Sequence, residues 1–224
     1  MPTPRIQAAD AVASWPVISA RLRPLAAKVL DPVATALLRV GLTPDMVTVI
    51  GTTLVVATAL VAFPQGYLLP GTLIIVVFVL ADSLDGTMAR LSGRSSDWGA
   101  FLDSTLDRIA DAAIFAGLAM WFVSQQDTVG VALSLAALVL GQVVSYARAR
   151  AEGLGAQAAV GVAERTERLV VVLLATALVG FGLPAQVLVV AMGLLAAASA
   201  VTVVQRMVVV RHQLVSSSPS RERT

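Results

Sequence analysis

The chain has 224 residues, 57% of them hydrophobic and 13% charged, with a formal net charge of +2 and no cysteine. A mean hydropathy of +0.84 is far more than a soluble domain of this length needs for one core, so a membrane protein is indicated. The lack of cysteine excludes disulfides and thiolate chemistry. The small net charge leaves the placement of charges as the informative quantity.

Residues 1–31 carry Pro, Arg and Asp throughout and no clean apolar core, so no cleavable signal peptide is expected. Trp15, Val17, Ile18, Leu22 and Leu25 alternate with Arg21, Arg23 and Lys28, a pattern that predicts an amphipathic helix on the membrane surface. Pro16 and Pro24 would bend it. Asp31-Pro32 reads as the cap and first turn of a second short helix that ends near Gly41. Thr43-Pro44-Asp45 opens the first apolar span with a hydroxyl cap, a first-turn proline and an acid at the positive end of the helix dipole. Spans are predicted over residues 46–63, 67–91, 99–123, 129–150, 164–181 and 185–210, each near the length that crosses a bilayer. Polar or Gly/Pro turns separate most of them, and a Gly- and Ala-rich connection covers residues 151–163. From His212 onward the chain is Ser-rich and charged, and disorder is expected there. The predicted fold is therefore all-α and polytopic: an N-terminal amphipathic segment (1–42), a six-helix transmembrane domain (43–211) and a tail (212–224). Trp15, Trp98 and Trp121 fall at positions suited to the membrane interface.

The turns near residues 65, 126 and 182 carry no Lys or Arg. The N-terminal segment, the turn at 91–98, the region 148–168 and the tail carry nearly all of the 16 basic residues. The positive-inside rule then places both termini and the 91–98 turn on the cytoplasmic side of the plasma membrane.

Between apolar runs, residues 80–111 carry Asp82, Asp85, Asp97, Asp103, Asp107 and Asp111. A carboxylate at the centre of a span costs roughly 2.5–3.5 kcal/mol, and clustered carboxylates also repel one another. Asp82 and Asp85 share one helix face, and Asp103 and Asp107 share a face of the next helix. With a turn at 91–98, the two pairs meet at about 6–12 Å below it. Oxygen donors alone, with no Cys in the chain and no His nearby, suit Mg²⁺ or Mn²⁺ rather than zinc or copper. Four carboxylates can hold two such ions in a phosphoryl-transfer arrangement. Gly86, Ala89 and Gly99 leave room at this level for a backbone or a phosphate. A cation transporter would also use an acidic pocket, but it needs acids open to both sides, and the external turns carry only Asp127. A packing-only hairpin is the weakest reading.

Arg148, Arg168 and Arg206 lie at the predicted cytoplasmic ends of three other spans. Anchoring at the interface explains some basic residues, and pairing with Glu152, Glu164 and Glu167 is an alternative. Three guanidinium groups from three helices also suit a phosphorylated acceptor, because their forks bind phosphate oxygens in pairs.

The run Asp82-x-x-Asp85-Gly86-x-x-Ala89-Arg90, followed by Gly99, Asp103 and Asp107 at fixed spacing, resembles the signature of the CDP-alcohol phosphotransferase family. That resemblance implies an integral membrane enzyme that moves a phosphatidyl or similar group from a CDP-linked donor to an alcohol and releases CMP. It implies a Mg²⁺ or Mn²⁺ site made by Asp82, Asp85, Asp103 and Asp107, with Asp107 as general base, and a homodimer. It places the cytidine donor, here CDP-diacylglycerol, against Asp45, Met46, Val47 and Thr48, where a helix N-terminus also offers free N–H groups to an anion. Gly86, Arg90 and Ser96 look like further nucleotide or diphosphate contacts, although Arg90 could instead anchor at the interface. The run S-Y-A-R-A-R-A-E at 145–152 and E-R-T-E-R at 164–168 resembles the actinobacterial phosphatidylinositol phosphate synthase branch. Its acceptor is inositol 1-phosphate, and Arg148 stands where that branch would carry Lys. The alternative acceptor is glycerol 3-phosphate. No nucleic-acid partner is expected. Asp111 falls outside the signature and reads as a residue that pairs helices.

Overall fold

The computed structural model describes residues 31–81, 83–93 and 96–216, with the side chains of Ser83 and Asp85 outside that description. The amphipathic helix expected before residue 31 and the part of the expected tail after residue 216 lie outside the described residues; residues 212–216, expected to be disordered, instead continue the last helix. Every regular element within them is α-helical: α1 (31–39), α2 (Pro44–Ala62), α3 (Leu68–Ala81), α4 (Ser83–Ser92), α5 (Asp97–Ser124), α6 (Thr128–Glu152), α7 (Arg165–Gly180) and α8 (Gln186–Ser216).

The helix starts are those that local chemistry dictates. Thr43 Oγ1 accepts from Met46 N at 3.3 Å, with Pro44 in the first turn of α2. Ser96 Oγ accepts from Gly99 N at 3.0 Å and starts α5. Asp127 Oδ1 accepts from Gly130 N at 2.8 Å and starts α6. These side chains satisfy amide donors that have no partner within the helix. Gly93 ends the α4 turn with φ of 64°.

Contacts between helices close a ring in the order α2, α5, α6, α8, α7, α3 and back to α2, with α4 against α2 and α3. The ring buries Phe63, Ile75, Ile114, Leu118, Phe122, Val172, Leu188 and Met192. Trp121 belongs to this core, at 6% exposure beside Phe122, rather than to an interfacial belt. The sequence pattern marks the end of the helix but not which way the indole turns. Trp98, by contrast, is exposed and lies against Phe101.

Four helical runs are long and apolar enough to cross a membrane: Pro44–Ala62, Leu68–Ser92, Thr128–Glu152 and Gln186–Ser216. Their outward faces are apolar, as at Leu73, Val77, Val139, Val190 and Leu194. That pattern needs a lipid solvent, so the chain is a multi-pass membrane protein. α5 has the length, at 28 residues, but Asp103, Asp107, Arg108 and Asp111 make it too polar by composition alone. α7 is shorter, at 16 residues, and begins with charged side chains.

Helix approach is closest where side chains are smallest. Gly117 of α5 lies against the backbone of α2, where a Cβ would overlap the Ala59 carbonyl. Close crossing at small residues is how membrane helices gain packing without a hydrophobic driving force. Gly117→Val should therefore destabilise the protein by about 1–3 kcal/mol through overpacking. Gly51→Ala, where an added Cβ meets nothing within 4 Å, should not. Thermal unfolding in detergent checks the pair, and equal midpoints would contradict the proposed crossing.

Candidate functional site

The N-termini of α2 and α5 lie side by side. Asp45 Oδ1 comes within 3.6 Å of where a Cβ on Gly99 would sit, and the Ser96 hydroxyl within 3.4 Å. Glycine at 99 thus lets the α2 acid reach the first turn of α5. Met46 is exposed, Val47 is half-buried, and Thr48 is buried with its hydroxyl donating to Pro44 O at 3.1 Å. Gly86 on α4 is exposed, and a Cβ there would meet nothing within 4 Å. Arg90, one turn on, donates from Nη2 to Thr87 Oγ1 at 2.9 Å. α1 covers the opposite side of α4, with Ala34 fully buried against Leu84 and Met88.

Asp103 and Asp107 lie one turn apart on α5, both partly buried. Asp82 and the side chain of Asp85 lie outside the described residues, and among the described residues no three acidic side chains gather around one point. The donor set of this half fits a hard divalent cation: carboxylate oxygens with neither thiolate nor imidazole.

Behind Asp107 the carboxylates are paired with arginines of α7. Arg165 Nη2 lies 2.7 Å from Asp107 Oδ1, and Arg165 Nε lies 3.3 Å from Asp111 Oδ1. Arg168 Nη2 reaches the other Asp111 oxygen at 3.3 Å, while its Nη1 donates to Ala163 O at 3.1 Å. Arg108 Nη1 stands 3.6 Å from Asp107 Oδ2. Asp111 and Arg168 are buried, at 3% and 2% exposure. Gly141 of α6 makes room for the Arg168 guanidinium, since a Cβ there would lie 3.1 Å from Nε. A cleft of about 20 Å³ between Gly51, Thr52, Phe78, Ala110, Asp107 and Arg165 holds about one water and no substrate.

Arg206 of α8 is also buried, at 2% exposure. Its Nε donates to Val160 O at 2.8 Å and its Nη1 to Val144 O at 2.6 Å, with Glu164 3.7 Å from Nη2. Arg206 and Arg168 grip the same connecting segment, at Val160 O and Ala163 O. Arg148 is more exposed and pairs with Glu152 at 2.9 Å. Each of the three arginines named from sequence already has internal partners. The acids that engage Arg148 and Arg206 are Glu152 and Glu164; Arg168 instead takes Asp111.

Sequence reasoning missed Arg165, the residue that links Asp107 to this cluster. Its signal was present in the E-R-T-E-R run, where Arg165 and Arg168 lie three apart on one face opposite two acids spaced four apart on α5.

The sequence profile of the CDP-alcohol phosphatidyltransferase family matches residues 41–204. The phosphatidylinositol phosphate synthase of Cutibacterium acnes is 49% identical over 193 residues, covering 83% of this chain and 93% of that protein. That of Streptomyces avermitilis is 50% identical, covering 83% and 79%. A crystal structure of the Mycobacterium tuberculosis phosphatidylinositol phosphate synthase with CDP-DAG bound superposes with a TM-score of 0.78 at 46% identity, covering 82% of this chain and 94% of that one. The same enzyme in complex with manganese and citrate gives a TM-score of 0.79 at 44% identity, covering 88% and 93%.

Removing one partner from the buried pair should show its weight. Asp111→Leu strands Arg168 and should destabilise the protein by about 3–5 kcal/mol. The double variant Asp111→Leu/Arg168→Met should recover much of that loss. Thermal melts of the two variants test the pairing, and no recovery in the double variant would mean that Asp111 stabilises by another route.

Proposed function

The chain belongs to the CDP-alcohol phosphatidyltransferase family, whose members use divalent metals, and from that premise we propose that it transfers the phosphatidyl group of CDP-diacylglycerol to inositol 1-phosphate. The single observation that carries this reading is the pairing of Asp107 with Arg165 at the edge of an arginine cluster. An acceptor that brings its own phosphate needs cations beside the group that takes its proton. The relatives named phosphatidylinositol phosphate synthase support the choice of acceptor.

Asp82, Asp85, Asp103 and Asp107 would hold Mg²⁺ or Mn²⁺, two ions in this reading, which neutralise the donor diphosphate when bound. The α2 N-terminus, from Asp45 to Thr48, lies beside the nucleotide in this reading; Thr43 already takes the Met46 and Val47 amides, so the positive end of the helix dipole rather than a set of free N–H groups favours the anion. Gly86 lets the diphosphate lie close to α4, with Arg90 and Ser96 beside it. Asp107 takes the proton from the acceptor hydroxyl. The hydroxyl oxygen forms a bond to the phosphorus that carries diacylglycerol, the bond to the cytidylate oxygen breaks, and CMP leaves. Arg148, Arg168 and Arg206 hold the acceptor phosphate. Glycerol 3-phosphate would suit the same cations, so the arginines alone do not choose between the two.

The enzyme is read as a six-span homodimer in the plasma membrane. α5 and α7 complete the six spans, because the polar side chains of α5 turn toward α7 within the ring rather than toward lipid. Every described arginine lies on α1, at the α4 or α6 C-terminus, in the first half of α5 or α7, or in the last turns of α8. The alternate turns at 63–66, 125–127 and 181–184 have none. This asymmetry supports a cytoplasmic site and cytoplasmic termini.

Purified protein with CDP-diacylglycerol, a divalent metal and inositol 1-phosphate should release CMP, and chelator should abolish the release. Asp107→Asn should lower turnover by about 10²–10⁴-fold, the range for loss of a general base. Arg148→Gln, Arg168→Gln and Arg206→Gln should raise KM for inositol 1-phosphate by about ten- to a hundredfold, the worth of a charged hydrogen bond. Turnover of glycerol 3-phosphate with none of inositol 1-phosphate would defeat the acceptor assignment.

Topology has its own check. Cysteine at Gln65, Gln126 or Gly182 should react with an impermeant thiol reagent from outside the cell. Cysteine at Leu154 should react only once the cytoplasmic face is opened, and external labelling there would overturn the orientation.

A further inference from the structure

The connection between α6 and α7 has no regular structure over residues 156–163, yet it leads into the N-terminus of α7 and so sets the place of Arg168. Its order comes from α8. Thr202, fully buried, accepts from both Val162 N and Ala163 N at 3.1 Å with the same Oγ1. That hydroxyl donates its own proton to Ala198 O at 2.8 Å, so its acceptor side is fixed toward the loop. Ala163 is the relay: its amide goes to Thr202, and its carbonyl takes Arg168 Nη1. Gly161 lies directly on Thr202, with φ of +145° and no room for a Cβ against Thr202 Cγ2. One helical turn on, Arg206 holds Val160 O. Further along α8, Gln213 accepts from Gln157 N and donates to Gln157 O, both at 2.8 Å. The loop backbone is thus read by three α8 side chains, and a displaced Ala163 carbonyl would release Arg168.

We propose that Thr202 is a positioning residue for the acceptor phosphate: it fixes Ala163, which in turn fixes the guanidinium of Arg168. This rests on the reading above that Arg168 faces the acceptor phosphate, and assigns to Thr202 a role in acceptor affinity without contact to any substrate.

Thr202→Val keeps the shape of the side chain but leaves the Val162 amide and the buried Ala163 amide without their acceptor. The expected result is a KM for inositol 1-phosphate raised about tenfold, as for loss of one charged hydrogen bond to the phosphate. The KM for CDP-diacylglycerol and kcat should stay near wild type. Thr202→Ser, which keeps the hydroxyl, should restore acceptor KM to within about twofold. Gly161→Ala perturbs the same contact from an exposed loop position, so it tests the idea should Thr202→Val fail to fold, and it should raise the same KM. Amide hydrogen exchange at 160–163 should accelerate in Thr202→Val and recover in Thr202→Ser. If wild-type enzyme rejects inositol 1-phosphate but turns over glycerol 3-phosphate, the acceptor reading fails while the KM comparison proceeds with that phosphate. Unchanged acceptor KM in Thr202→Val and Gly161→Ala, or a loss shared equally by kcat and both KM values, would overturn the role of Thr202.

Discussion

Two carboxylates and two guanidinium groups, Asp107 and Asp111 on α5 with Arg165 and Arg168 on α7, set the terms for this molecule. In apolar surroundings neither pair of like charges is tolerable alone. Together they form a crossed lattice in which Arg165 bridges the acids and Arg168 closes the far side. A lattice of this kind is weak evidence for stability, since a hydrophobic replacement of the whole set can do as well. Its value lies in register: the side chains bridging the ring fix the height of α7 relative to α5, and that height presents a guanidinium to Asp107.

The rest of the ring serves that register. Gly141 makes room for Arg168 from the α6 side, so α6 cannot shift without meeting a charged group. Gln142, the next residue, donates to the Arg108 carbonyl at 3.1 Å and ties α6 to the same turn of α5. Arginine rather than lysine is needed at 168 and 206, because each guanidinium reaches two or more acceptors in fixed directions. A lysine ammonium at 206 could not span from Val160 O to Val144 O and still approach Glu164.

Much of this was legible in the chain. The hydroxyl cap at Thr43, the polar turn before α5 and the i, i+4 spacing of Asp103 and Asp107 are local facts, and the helices begin and turn as those residues require. The apolar runs behind four spans were equally plain. What stayed hidden depends on partners distant in sequence. Arg165 lies 54 residues from Asp111, and no periodicity links them. Trp121 looked interfacial by position, but core packing around Phe122 takes it inward. The 156–163 connection read only as Gly- and Ala-rich. Its hydrogen bonds to α8 run mainly through its own backbone, which carries no sequence signature beyond Gly161.

The two halves of the site are built by different means, and the difference bears on selectivity. The proposed donor half relies on helix N-termini, small residues and carboxylates, features that suit a nucleotide diphosphate bound with a cation whatever alcohol is to follow. The proposed acceptor half relies on arginines held by carbonyls and acids from α5, α6 and the connecting loop. Asp107 belongs to both, through its place on α5 and through Arg165. A change of acceptor within such an architecture therefore need not touch the aspartates. It can be made by moving the loop and the first turn of α7, where a shift of the Ala163 carbonyl redirects a guanidinium while Asp103 and Asp107 stay in place.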